Sequence, residues 1–249
     1  LGGTLTINKA TLTATADNKT RIYGDANPAL TVSYTGFKNS DTSGAIDTGA
    51  TATTAATILS NVSTYAITAS GASDNNYDFS YTGGTLTVNK ADLAVTADNK
   101  NRGYGDANPA LTASYSGFKN GDTASVLDSA PAISTSATSL SDVGSYGVTL
   151  SGGSDNNYNL LLTDGTLTIG QAILTVTADS QTRVYGDANP VLTVSYSGFK
   201  NGQTAGDLDT AAAAVSGATI LSNTGIYAIT ASGAMDSNYS FAYTGGTLT

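Results

Sequence analysis

The chain has 249 residues, a formal net charge of -9 and a sequence pI near 4.1. Its 10 Lys plus Arg are spread too thinly to form a basic stripe against phosphates, so nucleic acid is not an expected partner. There is no His, Cys or Glu, which removes disulfides, thiol chemistry and the commonest general acids and bases. No apolar run approaches the roughly 20 residues that span a bilayer, so this fragment is not expected to insert into a membrane.

All 19 acidic residues are Asp, which argues against long helices, since Glu favours helix interiors and Asp favours turns and caps. Repetition organises the chain. Tyr23-Gly24-Asp25-Ala26-Asn27-Pro28 returns as Tyr104 to Pro109 and as Tyr185 to Pro190, an interval of 81 residues that Phe37, Phe118 and Phe199 also keep. Tyr77, Tyr158 and Tyr239 follow the same spacing. This predicts three domains, over residues 10–89, 90–170 and 171–249. Residues 1–9 read as the last strand of a preceding repeat, because Leu1 to Ile7 matches Gly83 to Val88, and the fragment therefore reads as part of a longer array.

The second repeat shows the elements in order. Leu93, Val95 and Ala97 alternate with Asp92, Ala94, Thr96 and Asp98, which predicts a strand with one buried face. Asn99 to Pro109 is rich in turn residues, and Leu111, Ala113 and Tyr115 predict a second strand closed by Gly117-Phe118-Lys119-Asn120-Gly121. Asp122 to Leu127 predicts a capped helical turn or two, the one helix of the unit. Ala132 to Ala137 predicts a weaker strand, and Tyr146, Val148 and Leu150 share a face of a better one. After the turn at Gly152 to Asn157, Tyr158, Leu160 and Leu162 predict a further strand. Asp164-Gly165 has the composition of a two-residue hairpin turn, with Leu167 to Ile169 as the partner strand. The expected fold is mostly β: three tandem small β domains, each with six or so short, mostly antiparallel strands. A β-grasp-like unit with one short helix and an Ig-like sandwich are both compatible with this pattern.

Val88 and Leu93 are five positions apart, an odd offset that reverses the buried face, and no flexible Gly/Ser linker lies between them. The same offset separates Ile7 from Leu12 and Ile169 from Leu174. This predicts a semi-rigid, elongated rod in which the last strand of one unit feeds the first of the next. Its radius of gyration would be about 29 Å, against about 18 Å for one compact domain.

The pattern Leu93-x-Val95-x-Ala97, Tyr104-Gly105-Asp106-x-x-Pro109, Gly121-Asp122-Thr123, Val143-Gly144-x-Tyr146, Asn157-Tyr158 and Gly165-Thr166-Leu167-Thr168 resembles the bacterial MBG domain of the YGX type, in all three repeats. Departures are small: Gly103 stands where Ile22 and Val184 are apolar, Gln203 where Asp41 and Asp122 are acidic, and Ser63 where Gly144 lies. The resemblance implies tandem modules of very large exported bacterial proteins, including adhesins similar to filamentous haemagglutinin, at the cell surface or secreted. It carries no catalytic residues to transfer.

Asp25, Asp74, Asp106, Asp155, Asp187 and Asp236 are candidate calcium ligands, since carboxylate and Asn oxygens cluster around them. Their spacing fits neither an EF-hand nor a glycine-rich nonapeptide, and Asx-turns account for the same residues without a metal, so no cofactor is expected. Tyr23, Tyr104 and Tyr185 could stack on sugar rings, and Arg21, Arg102 and Arg183 could bind an anionic glycan. The alternative for the Tyr is edge packing, and for the Arg a clasp onto turn carboxylates or carbonyls. An Asp pair could in principle act on glycosides, but both recurring Asp positions lie in turns, and no enzyme is expected. Lys38, Lys119 and Lys200 persist, whereas Lys9 and Lys90 give way to Gln171 and Lys19 and Lys100 to Gln181, which argues against a Lys–Asn amide cross-link. The expected function is a stalk or spacer in a surface adhesin, with other repeats of the same chain as partners. The alternative is a multivalent module for surface glycans or exopolysaccharide.

Overall fold

In the computed structural model, which describes residues 2–249, alternation of small apolar and Thr side chains becomes strand directly. In β1 (Ala10–Ala16), Leu12, Ala14 and Ala16 are buried while the Thr residues between them face away. The first repeat continues with β2 (Lys19–Ile22), β3 (Val32–Thr35), β4 (Thr51–Thr54), β5 (Ser63–Ser70), β6 (Tyr77–Thr82) and β7 (Gly84–Asn89). The second holds β8 (Ala91–Ala97), β9 (Lys100–Gly103), β10 (Ala113–Ser116), β11 (Ala132–Thr135), β12 (Gly144–Ser151), β13 (Tyr158–Thr163) and β14 (Gly165–Gly170). The third holds β15 (Ala172–Ala178), β16 (Val194–Ser197), β17 (Ala213–Ser216), β18 (Tyr227–Ser232), β19 (Tyr239–Thr244) and β20 (Gly246–Leu248).

Two small sheets make up the first repeat, in the orders β3-β1-β6 and β2-β7-β5-β4. Most pairs are antiparallel, but β1 runs parallel to β6 and β2 parallel to β7. Ala16 from one sheet packs against Ile67, Ala69 and Leu86 from the other, with Leu30, Val32 and Tyr65 at the margin. The third repeat repeats this core with Val176 and Ala178 against Ile229, Ala231 and Leu248. These are two-layer sandwiches, with so little helix that a β-grasp arrangement, which needs a helix laid across one sheet, does not form. The expected helix is a single 3-10 turn at Ser43–Ala45, Ala124–Val126 and Ala205–Asp207. Among the described residues no helix is long and apolar enough to cross a membrane.

Two expectations are corrected. Asp164-Gly165 is not a hairpin turn: β13 pairs with β8, whereas β14 pairs with β12 and β9, so the dipeptide is a corner between sheets. Glycine is required there because a Cβ on Gly165 would lie 2.4 Å from the Ala97 carbonyl oxygen; at Gly84 and Gly246 the corresponding distances, to Ala16 and Ala178, are 2.3 Å. Asp164 closes the corner by accepting a hydrogen bond from the Leu150 amide. The strand expected within residues 1–9 does not appear at residues 2–9, where Leu5 and Ile7 are 89% and 87% exposed. The equivalent β7 is held between β2 and β5, and no such neighbours flank residues 2–9.

One carboxylate clasp recurs at the end of the first strand of every repeat. Asp98 accepts from Thr112 and Ser114 at 2.5 and 2.6 Å, Asp179 from Thr193 and Ser195, and Asp17 from Thr31 and Ser33. The hydroxyl donors hold all three carboxyls below the usual carboxylate range. A depressed folded-state pKa stabilises above the unfolded value near 4 and loses that contribution as pH falls through the folded one. The melting temperature is therefore expected to fall as pH is lowered below about 4, with a shallower slope in Asp98→Asn; an unchanged slope would remove the clasp from the account.

The chain divides into two compact units, Leu1–Val95 with Tyr115–Ala132 and Ser151–Leu162, and Thr96–Ser114 with Ile133–Leu150 and Thr163–Thr249. Each contains one complete junction between consecutive repeats.

Candidate functional site at the repeat junctions

The Tyr-Gly-Asp turn begins where β2 ends. In the first unit the Tyr23 amide donates to the Asn89 carbonyl, and the Asp25 amide closes the turn on the Ile22 carbonyl. Gly24 takes φ +78°, a left-handed conformation that favours glycine. Arg21 fastens the turn from below: it donates from Nε to Asn27 Oδ1 at 2.8 Å and from Nη2 to the Thr57 carbonyl at 2.6 Å. Asn27 in turn donates to the Ala56 carbonyl. The recurring Arg and Asn are therefore a scaffold that orients the Tyr outward.

That ring inserts into the following repeat. Tyr23 is 6% exposed and meets Tyr158 edge to face, with centroids 5.5 Å apart. Phe118 packs on Tyr158 in the same manner at 5.4 Å, so three rings form a continuous edge-to-face cluster. The Tyr23 and Tyr158 hydroxyls both donate to Asp122 Oδ2, at 3.1 and 2.7 Å, and the Lys119 amide donates to the Tyr158 oxygen. Burial pushes both phenols up, which keeps them protonated as donors.

Two further ties flank the ring. Lys119 Nζ pairs with Asp25 Oδ1 at 3.0 Å, and the stem of Lys119 lies directly over Gly24. The pair is half exposed and contributes at most about 1 kcal/mol, so it sets register more than strength. On the other flank Asn157 Oδ1 accepts from the Val62 amide at 2.9 Å while its Nδ2 donates to Asn61 Oδ1 at 3.1 Å. Asp155 aims this Asn by accepting from the amides of Asn157 and Tyr158. Lys90, the one residue between β7 and β8, donates to the Asp155 carbonyl at 2.6 Å.

The second unit contains the same arrangement. Tyr104, 4% exposed, meets Tyr239 edge to face at 5.5 Å and donates to Gln203 Oε1, which Tyr239 also reaches. Gln203 in place of Asp122 shows that an acceptor oxygen is needed here and a charge is not. Lys200 pairs with Asp106 at 2.9 Å and, together with the Gly103 amide region, holds that carboxyl below its ordinary range. Asn238 accepts from the Val143 amide and donates to Asp142. Arg102 and Asn108 repeat the clasp on Thr138 and Ala137.

The remaining candidates fall into place around this interlock. Asp25 and Asp106 are ion-paired, while Asp74, Asp155 and Asp236 accept amides two or three residues ahead as Asx-turns. Asp187 sits in the third turn, its carbonyl bonded by Arg183. Among the described residues no three acidic side chains come together to hold a metal ion. Tyr23 and Tyr104 are covered, Tyr185 is 61% exposed, and Arg183 bonds the Thr219 carbonyl. Sequence reasoning missed Lys119, Lys200, Asn157 and Asn238 as junction residues. The signal for the lysines lies in the strict retention of Lys38, Lys119 and Lys200 where other lysines drift to Gln, and for the asparagines in the recurrence of Asn76, Asn157 and Asn238.

Sandwich modules fused strand to strand, the first and second each inserting an aromatic turn into the next, define a tandem β-repeat protein whose recurring residues at both internal junctions serve the repeat-to-repeat contact. The chain belongs to the MBG domain family, YGX type, which it matches over residues 12–87, 93–168 and 174–249. No curated protein matches it. Among solved structures it is similar to the I9–I11 tandem of titin, at 10% identity and a TM-score of 0.24 over 97% of each chain.

Proposed function

We propose that the chain is a mechanical spacer within a bacterial surface or secreted adhesin, holding a distal binding domain away from the envelope in adhesion or biofilm formation. The observation that supports this most is the commitment of the recurring Tyr and Asp at both internal junctions to the next repeat. A spacer must transmit position from one module to the next, and three separate ties beside a one-residue covalent link serve that purpose. The exported setting rests on the family, and the partners are further repeats of the same chain. No catalysis is assigned.

The glycan-binding alternative requires free aromatic faces, and two of the three recurring Tyr rings are covered. A glycan array is expected to give no reproducible hits. Hits abolished by Tyr185→Ala would overturn the purely mechanical role.

A further inference from the structure

At both internal junctions the receiving residues are the two ends of one short turn. The Asp122 amide closes on the Lys119 carbonyl at 2.8 Å, and the Gln203 amide on the Lys200 carbonyl at 3.0 Å. Lys119 and Lys200 pair with Asp25 and Asp106, while Asp122 and Gln203 accept from Tyr23 and Tyr104. The turn centres are Asn120-Gly121, with φ +55° and +79°, and Asn201-Gly202, with φ +55° and +75°, and all four residues are exposed. Two successive left-handed residues make a type I′ turn, for which Asn-Gly is a favoured pair.

Asn-Gly is also the dipeptide in which the backbone nitrogen most readily attacks the preceding side-chain amide, because glycine has no Cβ to shield that nitrogen. Neither the Gly121 nor the Gly202 amide donates a hydrogen bond among the described residues, and nothing lies within 4 Å of where a Cβ would stand on either. The first repeat supplies an internal comparison. Its turn closes from the Asp41 amide to the Lys38 carbonyl at 2.9 Å with φ +54° and +67°, but its centre is Asn39-Ser40, where a side chain shields the nitrogen.

We propose that Asn120 and Asn201 are sites of spontaneous deamidation and isomerisation, and that the product loosens the junction each turn serves. The glycine nitrogen bonds to the Asn Cγ, the Cγ–Nδ2 bond breaks, and Nδ2 leaves as ammonia with the proton of the glycine amide. Water then opens the cyclic imide at either carbonyl, giving aspartate or isoaspartate, with no oxidant, metal or partner consumed. Isoaspartate routes the main chain through the side-chain methylene, which lengthens a turn whose closure sets the spacing of Lys119 from Asp122 and of Lys200 from Gln203. At the first junction the new carboxylate also stands two residues from Asp122, and the like charges repel. At the second, Gln203 is neutral and only the lengthening acts.

Prolonged warming of the intact chain at mildly alkaline pH, followed by peptide mapping that separates aspartate from isoaspartate, tests this. Isoaspartate should form at Asn120 and Asn201 about tenfold faster than at Asn39. Urea unfolding of the aged chain should spread from one transition toward two. Gly121→Ser with Gly202→Ser, which copies the turn of the first repeat, should keep the single transition on ageing. Ser40→Gly should raise the rate at Asn39 to that of the other two, a readout that does not depend on how the serine variant folds. Equal rates at the three Asn residues, no isoaspartate at Asn120 or Asn201, or an aged chain that unfolds as the fresh one does would each overturn the proposal.

Discussion

Tyr23→Ala or Tyr104→Ala is expected to uncouple one pair of neighbouring repeats while leaving the flanking sandwiches folded, and Tyr185→Ala is expected to be nearly silent. The first two rings are almost completely covered, each with an edge-to-face partner and a hydroxyl acceptor. Truncating a buried aromatic costs about 3–5 kcal/mol, here drawn from the interface between repeats and not from either core. In an array whose stability is a sum of repeat and neighbour terms, that loss appears as reduced cooperativity. Urea unfolding should change from one transition toward two, with the less stable part melting early. Tyr185, at 61% exposure, has no such environment to lose. Equal effects at all three positions would show that these Tyr residues stabilise their own domains and do not join neighbours.

Gly24→Ala and Gly105→Ala are expected to be more damaging than Gly186→Ala, although all three glycines have the same left-handed backbone. The conformational penalty for a Cβ at such φ values is about 1–2 kcal/mol and is common to the three. At Gly24 and Gly105 the added Cβ would also lie 2.3 and 2.4 Å from the Cβ of Lys119 and Lys200. A Cβ is fixed to its backbone, so the following repeat must shift, at a further cost of about 1–3 kcal/mol. Nothing lies within 4 Å of the equivalent position on Gly186. Thermal unfolding should therefore place Gly186→Ala a few degrees below the parent and the other two lower still. Three equal shifts would mean that only the turn conformation matters.

These glycines also show how far the sequence could be read. The 81-residue interval and the alternation of Leu93, Val95 and Ala97 disclose the repeats and the strands, because both are periodicities written along the chain. The role of Gly165 was not legible: a hairpin turn and a corner between sheets use the same dipeptide. What separates them is the approach of the Ala97 carbonyl from a distant strand. The Tyr beside each such glycine was recognisable as an aromatic needing cover, but its partner Tyr158 lies far along the chain in the next repeat. The Asp residues read as turn formers or calcium ligands. Only geometry distinguishes Asp155, which orients Asn157, from Asp25, which pairs with Lys119. Lys119 itself read as a polar turn residue, since nothing local marks a side chain whose partner belongs to another domain.

At each internal junction the Tyr-Gly-Asp insertion fixes one repeat upon the next. The absence of cysteine allows spin labels at two chosen positions, and Thr53→Cys with Ser125→Cys places exposed labels on either side of the first junction. Pulsed dipolar spectroscopy should return one narrow distance distribution for the parent chain and a broad one once Tyr23→Ala is added. A distribution already broad in the parent, or one that Tyr23→Ala leaves unchanged, would contradict the account.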